Sequence, residues 1–335
     1  MIARRTHTNV MRAFITGGAG FIGSHLVARL LSRDDVEAVT IYDNFSSGTR
    51  AHVADFDDRR LRIIDADIKH LGELTHAIRG SDVVFHLAAN PDIAKAVRQP
   101  DIDFWEGTYL IQNVLEAMRV NGVERIFYTS GSGVYGEQPG VAFAETYGPC
   151  LPISTYGASK LACEALISSY AHMFGLSGRA FRFANVVGPR QTHGVGYDFV
   201  RRLRTDPERL RILGDGTQCK SYIYVEDVLN AVFLVADRAT AAVPFDVYNV
   251  ATDDYITVND IATIAARECG LDPQRVAFER TGGDRGWKGD VPSVLFDVKK
   301  IKSLGWSATR TSAEAIRDSM RAMIGDLDGK ALQSA

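Results

Sequence analysis

Cysteine is scarce in this 335-residue chain. Cys150, Cys163, Cys219 and Cys269 are scattered, with no paired spacing. That pattern gives neither a disulfide framework nor a zinc ribbon. Four reduced, buried thiols in a cytoplasmic protein are the expectation. The eight histidines form no ligand-spaced cluster with acids or cysteines, so no metal site is expected. Charge of one sign is also lacking. The formal net charge of −3 gives no electrostatic case for nucleic acid or an anionic membrane. No apolar stretch is long enough to span a bilayer. There is no internal repeat, no low-complexity tract and no long Pro/Ser linker. The basic start, residues 1–10, lacks a following apolar signal core. It reads as a flexible extension, with Met11 an alternative start, and residues 326–335 read as a flexible tail. What remains is an ordinary globular composition, 46% hydrophobic and 24% charged, in a chain long enough for one large or two modest domains.

The most informative stretch is Thr16-Gly17-Gly18-Ala19-Gly20-Phe21-Ile22-Gly23, directly after the apolar run Met11 to Ile15. This is a buried strand, a glycine turn and the start of a helix. Gly17 permits the tight turn, Gly20 lets backbone approach a pyrophosphate, and Gly23 lets the helix pack on the sheet. The helix start offers free N–H groups and a positive dipole end to phosphates. Asp43 ends the next apolar strand, at the distance where a carboxylate accepts from the adenosine ribose hydroxyls and repels a 2′-phosphate. NAD is therefore expected rather than NADP.

Apolar strands (11–16, 37–43, 61–65, 82–87, 124–129, 177–183) alternate with amphipathic helices (20–32, 70–79, 100–121, 155–174). This rhythm predicts an α/β fold with a Rossmann-like, doubly wound parallel sheet. Its ligands should lie beyond the carboxyl ends of the strands. After about residue 186 the pattern breaks into short elements and loops rich in glycine and charge. The expected organisation is a dinucleotide domain over 11–186 and a smaller α/β substrate lobe over 187–325, interleaved with the first.

Tyr156-Gly157-Ala158-Ser159-Lys160 sets a phenol and an ammonium one turn apart on one helix face. A neighbouring cation favours the phenolate, which makes Tyr156 a candidate general acid/base for a hydroxyl. Lys160 is placed to hold the nicotinamide ribose as well.

Taken together, these motifs make the sequence resemble an extended short-chain dehydrogenase/reductase of the nucleotide-sugar epimerase and dehydratase family. The likeness runs from Arg12 to about Met323. It rests on Thr16 to Gly23, Tyr42-Asp43-Asn44, Asp67, His86-Leu87-Ala88-Ala89, Val134-Tyr135-Gly136 and Tyr156 to Lys160. Further on it rests on Arg182 to Asn185, Gly188-Pro189-Arg190, and Gly214 to Gln218 leading into Tyr222 to Asp227. The resemblance implies tightly held NAD used as a transient hydride store. Cofactor contacts are then expected from Gly17, Gly20, Phe21, Ile22 and Gly23; from Asp43, Asn44, Ser46 and Gly48; from Asp67 and Ile68; from Leu87, Ala88 and Ala89; and from Phe183, Tyr156 and Lys160.

The segment before Val134 separates reactions within the family. Dehydratases resemble Thr-Asp-Glu there and decarboxylating members Thr-Ser-Glu. This chain has Gly131-Ser132-Gly133, without those acids. Gly131 also stands where 4-epimerases carry Ser or Thr, so either Ser130 or Ser132 bridges the sugar 4-OH and Tyr156, or neither bonds substrate and Tyr156 works alone. Phe104 stands where an asparagine that orders the active-site tyrosine and lysine would be. For the substrate, Asn185, Lys220 and Arg285 are expected at the sugar diphosphate and Gln191 at the sugar. His193 reads equally as a loop residue or a substrate contact. Lys220 replaces a common arginine, and Trp287 takes the arginine position of an Arg-x-Gly-Asp segment. The resemblance implies an NAD-dependent 4-epimerase in which Tyr156 takes and returns the 4-OH proton, with a UDP-hexose as default substrate. A net dehydrogenase or reductase and a non-catalytic binder are the alternatives. A homodimer through the helices at 100–121 and 155–174 is also implied, although Leu110, Val114, Leu115, Met118, Leu161, Ala165 and Ile167 equally suit a core.

Overall fold

A computed structural model describes residues 10–238 and 243–333. The extension expected at 1–10 therefore lies, but for Val10, outside the described residues. The first half runs β1 (Met11–Thr16), α1 (Phe21–Leu31), β2 (Val36–Asp43), β3 (Leu61–Asp65), α2 (Leu71–Ala77), β4 (Val83–His86), α3 (Tyr109–Asn121), β5 (Arg125–Gly131), β6 (Ala142–Phe143), α4 (Thr155–Phe174) and β7 (Ser177–Phe183). The second half runs β8 (Asn185–Val187), α5 (Val195–Thr205), β9 (Arg209–Ile212), β10 (Cys219–Lys220), β11 (Tyr222–Tyr224), α6 (Val225–Arg238), β12 (Phe245–Val250), β13 (Ile256–Thr257), α7 (Val258–Glu268), β14 (Ala277–Arg280), β15 (Leu295–Phe296), α8 (Lys299–Ser303) and α9 (Ser312–Gln333).

Seven strands form one sheet in the order β12-β7-β5-β4-β1-β2-β3, and every pairing in it is parallel. Such a sheet is covered on both faces, so its strands read as continuous apolar runs; the Phe14-Ile15 and Val83-Val84-Phe85 stretches are fully interior. Strand order reverses between β1 and β4. This reversal opens the crevice in which a doubly wound sheet binds its ligand. β12 joins the sheet edge from the second half of the chain, in register with β7 from Phe245↔Gly178 to Val250↔Phe183. Helix α6 packs back on α1. The second half thus returns to the first layer after residue 186.

The remaining elements make a small lobe. α5, α7 and α9 pack around a separate core that includes Phe199, Ile261 and Met320, beside the parallel pairs β8–β11 and β9–β14. α9 continues to Gln333, into the stretch 326–335 that the sequence offered as a tail. Leu327 still packs on that core. Among the described residues no helix is long and apolar enough to cross a membrane.

Two expectations change at α3 and α4. The single helix expected over 100–121 starts with a π-helical turn, Phe104–Thr108, before α3 proper. Leu110, Val114, Leu115, Met118 and Ile167 are interior to the subunit, because α3 and α4 present that face to the sheet. Leu161 packs against a small cluster around Val134 and Phe143, and Ala165 is exposed.

Candidate active site

One cleft of about 860 Å³ opens over the carboxyl ends of the strands. Every residue expected from the sequence at the cofactor, the chemistry or the substrate lines it, except Arg285. At one end lies the glycine cradle. Gly17 has φ +73°, and a Cβ there would sit 2.7 Å from the Ala88 backbone nitrogen. A Cβ on Gly23 would fall 2.2 Å from the Gly17 carbonyl oxygen. Helix α1 has Gly20 as its N-cap, with no side-chain cap and no acid in its first turn. Its free N–H groups are thus left to an anion. Asp43 is buried, its two carboxylate oxygens accepting from the Ala19 and Phe45 backbone N–H at 2.9 Å each. Burial raises its pKa above the ordinary carboxylate value, against those two bonds. Asn44 donates to Asp67 at 2.9 Å, and Gly48 packs on Ala19 so closely that a Cβ would meet its carbonyl carbon at 2.8 Å. This cradle fits a dinucleotide: backbone donors for the pyrophosphate, then a carboxylate at the end of β2 for the ribose.

Gly23→Ala should therefore weaken cofactor binding. The obstructing atom is backbone and cannot swing aside, so the start of α1 must shift from the Gly17 turn; restoring the cradle around NAD against an overpacking cost of about 1–3 kcal/mol lowers affinity by up to roughly 150-fold. Titration of cofactor-free protein with NAD reads this directly. Gly72→Ala in α2, with nothing within 4 Å of the added methyl, should leave affinity unchanged.

In the middle of the cleft stand Tyr156 and Lys160, on the first turns of α4. Ser154 caps this helix, its hydroxyl accepting from the Gly157 N–H at 3.1 Å. The helix sits against the turn after β5 so closely that a Cβ on Gly157 would lie 2.3 Å from the Gly133 carbonyl oxygen. Lys160 is buried; its Nζ donates to the Thr129 carbonyl at 2.7 Å and lies 5.5 Å from the centre of the Tyr156 ring. The Ser132 hydroxyl, on the cleft wall, has no protein partner among the described residues. Ser130 is differently placed. It is paired in register with Arg182, and its hydroxyl donates to Glu164 at 2.5 Å within a buried network. Gly131 is extended (φ −161°), and a Cβ there would meet nothing within 4 Å. The backbone does not require glycine at that position.

Below Lys160, His86 bonds the Thr16 hydroxyl through Nδ1 at 2.7 Å and stacks on Tyr128. Burial, helped by the Lys160 charge, lowers its pKa from 6.5 to about 3. The unfolded chain takes up a proton at this residue that the folded one refuses. The contribution is therefore whole above pH 6.5 and falls away as the pH drops toward 3. Between pH 7.5 and 4.5 the loss attributable to His86 should be about 2–3 kcal/mol. Denaturant unfolding of wild type and His86→Asn at both pH values checks this, the variant being expected to lose less on acidification.

At the far end, Lys220 bonds the buried Asp290 at 2.5 Å, so its charge is already partnered. Arg285 is not part of the cleft lining: its guanidinium is held by Glu137 at 3.2 Å through both terminal nitrogens, by Asp284 at 2.9–3.0 Å and by the Asp290 carbonyl at 3.4 Å. These carboxylates take up the donors that the sequence offered to a phosphate. Asn185 donates to the Ser221 carbonyl at 3.2 Å. Gln191 is buried and accepts from Ser319 at 3.1 Å, whereas His193 is exposed on the cleft wall. Sequence reading missed Asn90, Asp92, Arg201, Arg202 and Leu213, all on the wall. They lie on loops or on one helix face, with no local pattern to mark them. Trp287 stood out as a departure and does line the cleft.

The profile of the NAD dependent epimerase/dehydratase family matches residues 13–251. The chain belongs to that family, and its cofactor is NAD. Among particular proteins, it is 32% identical over 319 residues to the UDP-glucose 4-epimerase of Mycolicibacterium smegmatis, covering 91% of this chain and 96% of that one. A crystal structure of a UDP-galactose 4-epimerase superposes with TM-score 0.83 at 38% identity, over 95% of this chain and 100% of that one. The Thermus thermophilus UDP-glucose 4-epimerase in complex with NAD gives 0.82 at 32% identity, over 94% and 99%.

Proposed function

We propose that this chain is a nucleotide-sugar 4-epimerase acting on a UDP-hexose. The observation that carries the reading is the convergence, in one cleft, of the glycine cradle, the Tyr156–Lys160 pair and the free Ser132 hydroxyl, with no carboxylate on residues 131–133. Bound NAD supplies reversible oxidation at a sugar carbon. The chain's own groups do the rest. Tyr156 takes the 4-OH proton and returns it. Lys160, fixed by the Thr129 carbonyl, holds a positive charge beside the phenol. Ser132, rather than the engaged Ser130, orients the hydroxyl. Gly131 and Gly133 leave the cleft wall without side chains where the sugar has to turn. Asn185 and the Lys220–Asp290 pair are assigned to the diphosphate, and Arg285, held by Glu137 and Asp284, is left out of this reading.

The working unit is proposed as a cytoplasmic homodimer. All four cysteines are unpaired. The π-helical turn, α3 and α4 carry three side-chain contacts: Trp105 on Tyr109, Gln112 to the Tyr170 hydroxyl, and Arg119 over Phe174. Exposed Val120 and Met173 border them. These groups, not the interior residues Leu110 to Met118, are the surface offered to a second copy.

A panel of nucleotide sugars, with products followed by NMR and NADH by absorbance, tests the reading. The expected result is a 4-epimer at equilibrium with no net NADH. Stoichiometric NADH would make the protein a net dehydrogenase; neither signal from NAD-loaded protein would make it a non-catalytic binder.

A further inference from the structure

The π-helical turn before α3 lies directly against the active-site helix. A Cβ on Gly107 would fall 2.3 Å from the Ser159 hydroxyl oxygen. Turns of this kind are frequent at functional sites. Phe104 and Trp105 point outward, 50% and 45% exposed, whereas Asp103 is 2% exposed. Each Asp103 carboxylate oxygen accepts one side-chain bond: Oδ1 from Asn90 Nδ2 at 2.9 Å, Oδ2 from the Thr155 hydroxyl at 2.7 Å. Its main-chain carbonyl accepts from the Ser159 hydroxyl at 2.6 Å, and the Ser159 hydroxyl also meets the Thr108 hydroxyl at 2.9 Å. Thr155 precedes Tyr156 in the chain, and Ser159 precedes Lys160.

Asn90 carries the other half of the bridge. It donates to the Asp92 carbonyl at 2.9 Å and accepts from the Asp92 N–H at 3.0 Å. Both amide protons are thereby used, one within its own turn and one on Asp103. That turn leads into Pro91, Asp92, Ile93 and Ala94, all on the cleft wall. A carboxylate suits the middle position because it only accepts, and both neighbours donate.

The geometry points to Asp103 as a positioning residue that holds the Tyr156 turn of α4 and the Asn90–Ala94 wall in one fixed relation. It does not touch the reacting atoms. The sequence placed the doubt about active-site order at Phe104; the ordering group is the residue before it. Its effect on turnover rests on the proposed reaction, whereas its effect on local order does not.

The test uses the full NAD-loaded chain with Asp103→Ala, Asp103→Asn and Thr155→Val. Asparagine still accepts from Asn90 and can donate to the Thr155 hydroxyl, which can accept; alanine does neither. Hydrogen exchange is read over residues 90–97 and 154–160, and kcat and KM with the nucleotide sugar that wild type turns over. Asp103→Ala should exchange faster in both segments, lower kcat by about tenfold or more and raise KM. Thr155→Val should loosen only 154–160 and lower kcat with KM unchanged. Asp103→Asn should stay within about threefold of wild type. If exchange follows this pattern but wild type turns over no nucleotide sugar, the positioning role stands and the reaction reading falls. Wild-type exchange in both segments of Asp103→Ala would overturn the proposal. So would an Asp103→Asn as defective as the alanine variant, or a uniform loss of protection across the sheet with kcat and KM unchanged. Should Asp103→Ala fail to fold, the asparagine and Thr155→Val results decide alone.

Discussion

Tyr156→Phe is expected to lower kcat for nucleotide-sugar epimerisation by about 10²–10⁴-fold, the range for loss of a positioned general acid/base. NAD should remain bound, since the glycine cradle, Asp43 and Asp67 lie apart from the phenol. Phenylalanine keeps the ring and its packing at the cleft, so α4 has no reason to move. Lys160 stays where it is because its Nζ is held by the Thr129 carbonyl and not by the tyrosine. KM should therefore change little, which marks an interaction made in the transition state rather than in substrate binding. Ser132→Ala should be much milder, because a hydroxyl that orients the substrate shares its work with the tyrosine. Parallel measurement of kcat, KM and bound NAD on both variants checks the pair. An equal loss in both would mean that the two hydroxyls move the proton as one unit rather than Tyr156 alone.

What was legible in the sequence was whatever the chain writes locally. β1, the glycine turn and α1 are contiguous, and each glycine answers a contact within a few residues or on the adjacent strand end. Parallel strands buried on both faces are unbroken apolar runs, so their existence and approximate ends could be read directly. The features that escaped notice are pairings between distant segments. Arg285 looks like a phosphate ligand until Glu137, 148 positions away, closes on it. Ser130 looks as eligible as Ser132 until the β5–β7 register places it opposite Arg182. The π turn at 104–108 changes the helix by a single residue, which leaves the apolar periodicity of 100–121 looking continuous. Asp103 gave no signal at all, since its partners Asn90 and Thr155 lie 13 and 52 positions away.

The second large effect is expected at the ion pair behind the active site. Glu164, on α4, and Arg182, on β7, are 4% and 5% exposed. The guanidinium meets the carboxylate twice, Nε to Oε1 at 3.0 Å and Nη2 to Oε2 at 2.6 Å, and lies over the Tyr135 ring at 4.7 Å. Arg182→Met leaves Glu164 buried with the Ser130 hydroxyl as its remaining side-chain donor among the described residues. Breaking a buried pair from one side costs about 3–5 kcal/mol, a large share of the roughly 5–15 kcal/mol that holds a typical domain folded. Urea unfolding should show a lower midpoint at an unchanged slope. The double variant Glu164→Met with Arg182→Met should recover most of that loss, because the uncompensated charge goes with its partner. Activity should not recover in step. Glu164 lies one turn beyond Lys160 and two beyond Tyr156 on the same helix, and its bonds to Ser130 and Arg182 tie α4 to the ends of β5 and β7. An apolar pair can fill that space without fixing the helix along its own axis. A double variant as stable as wild type but several-fold slower would show that the pair is kept for the placement of Tyr156. One that is both stable and fully active would reduce it to packing.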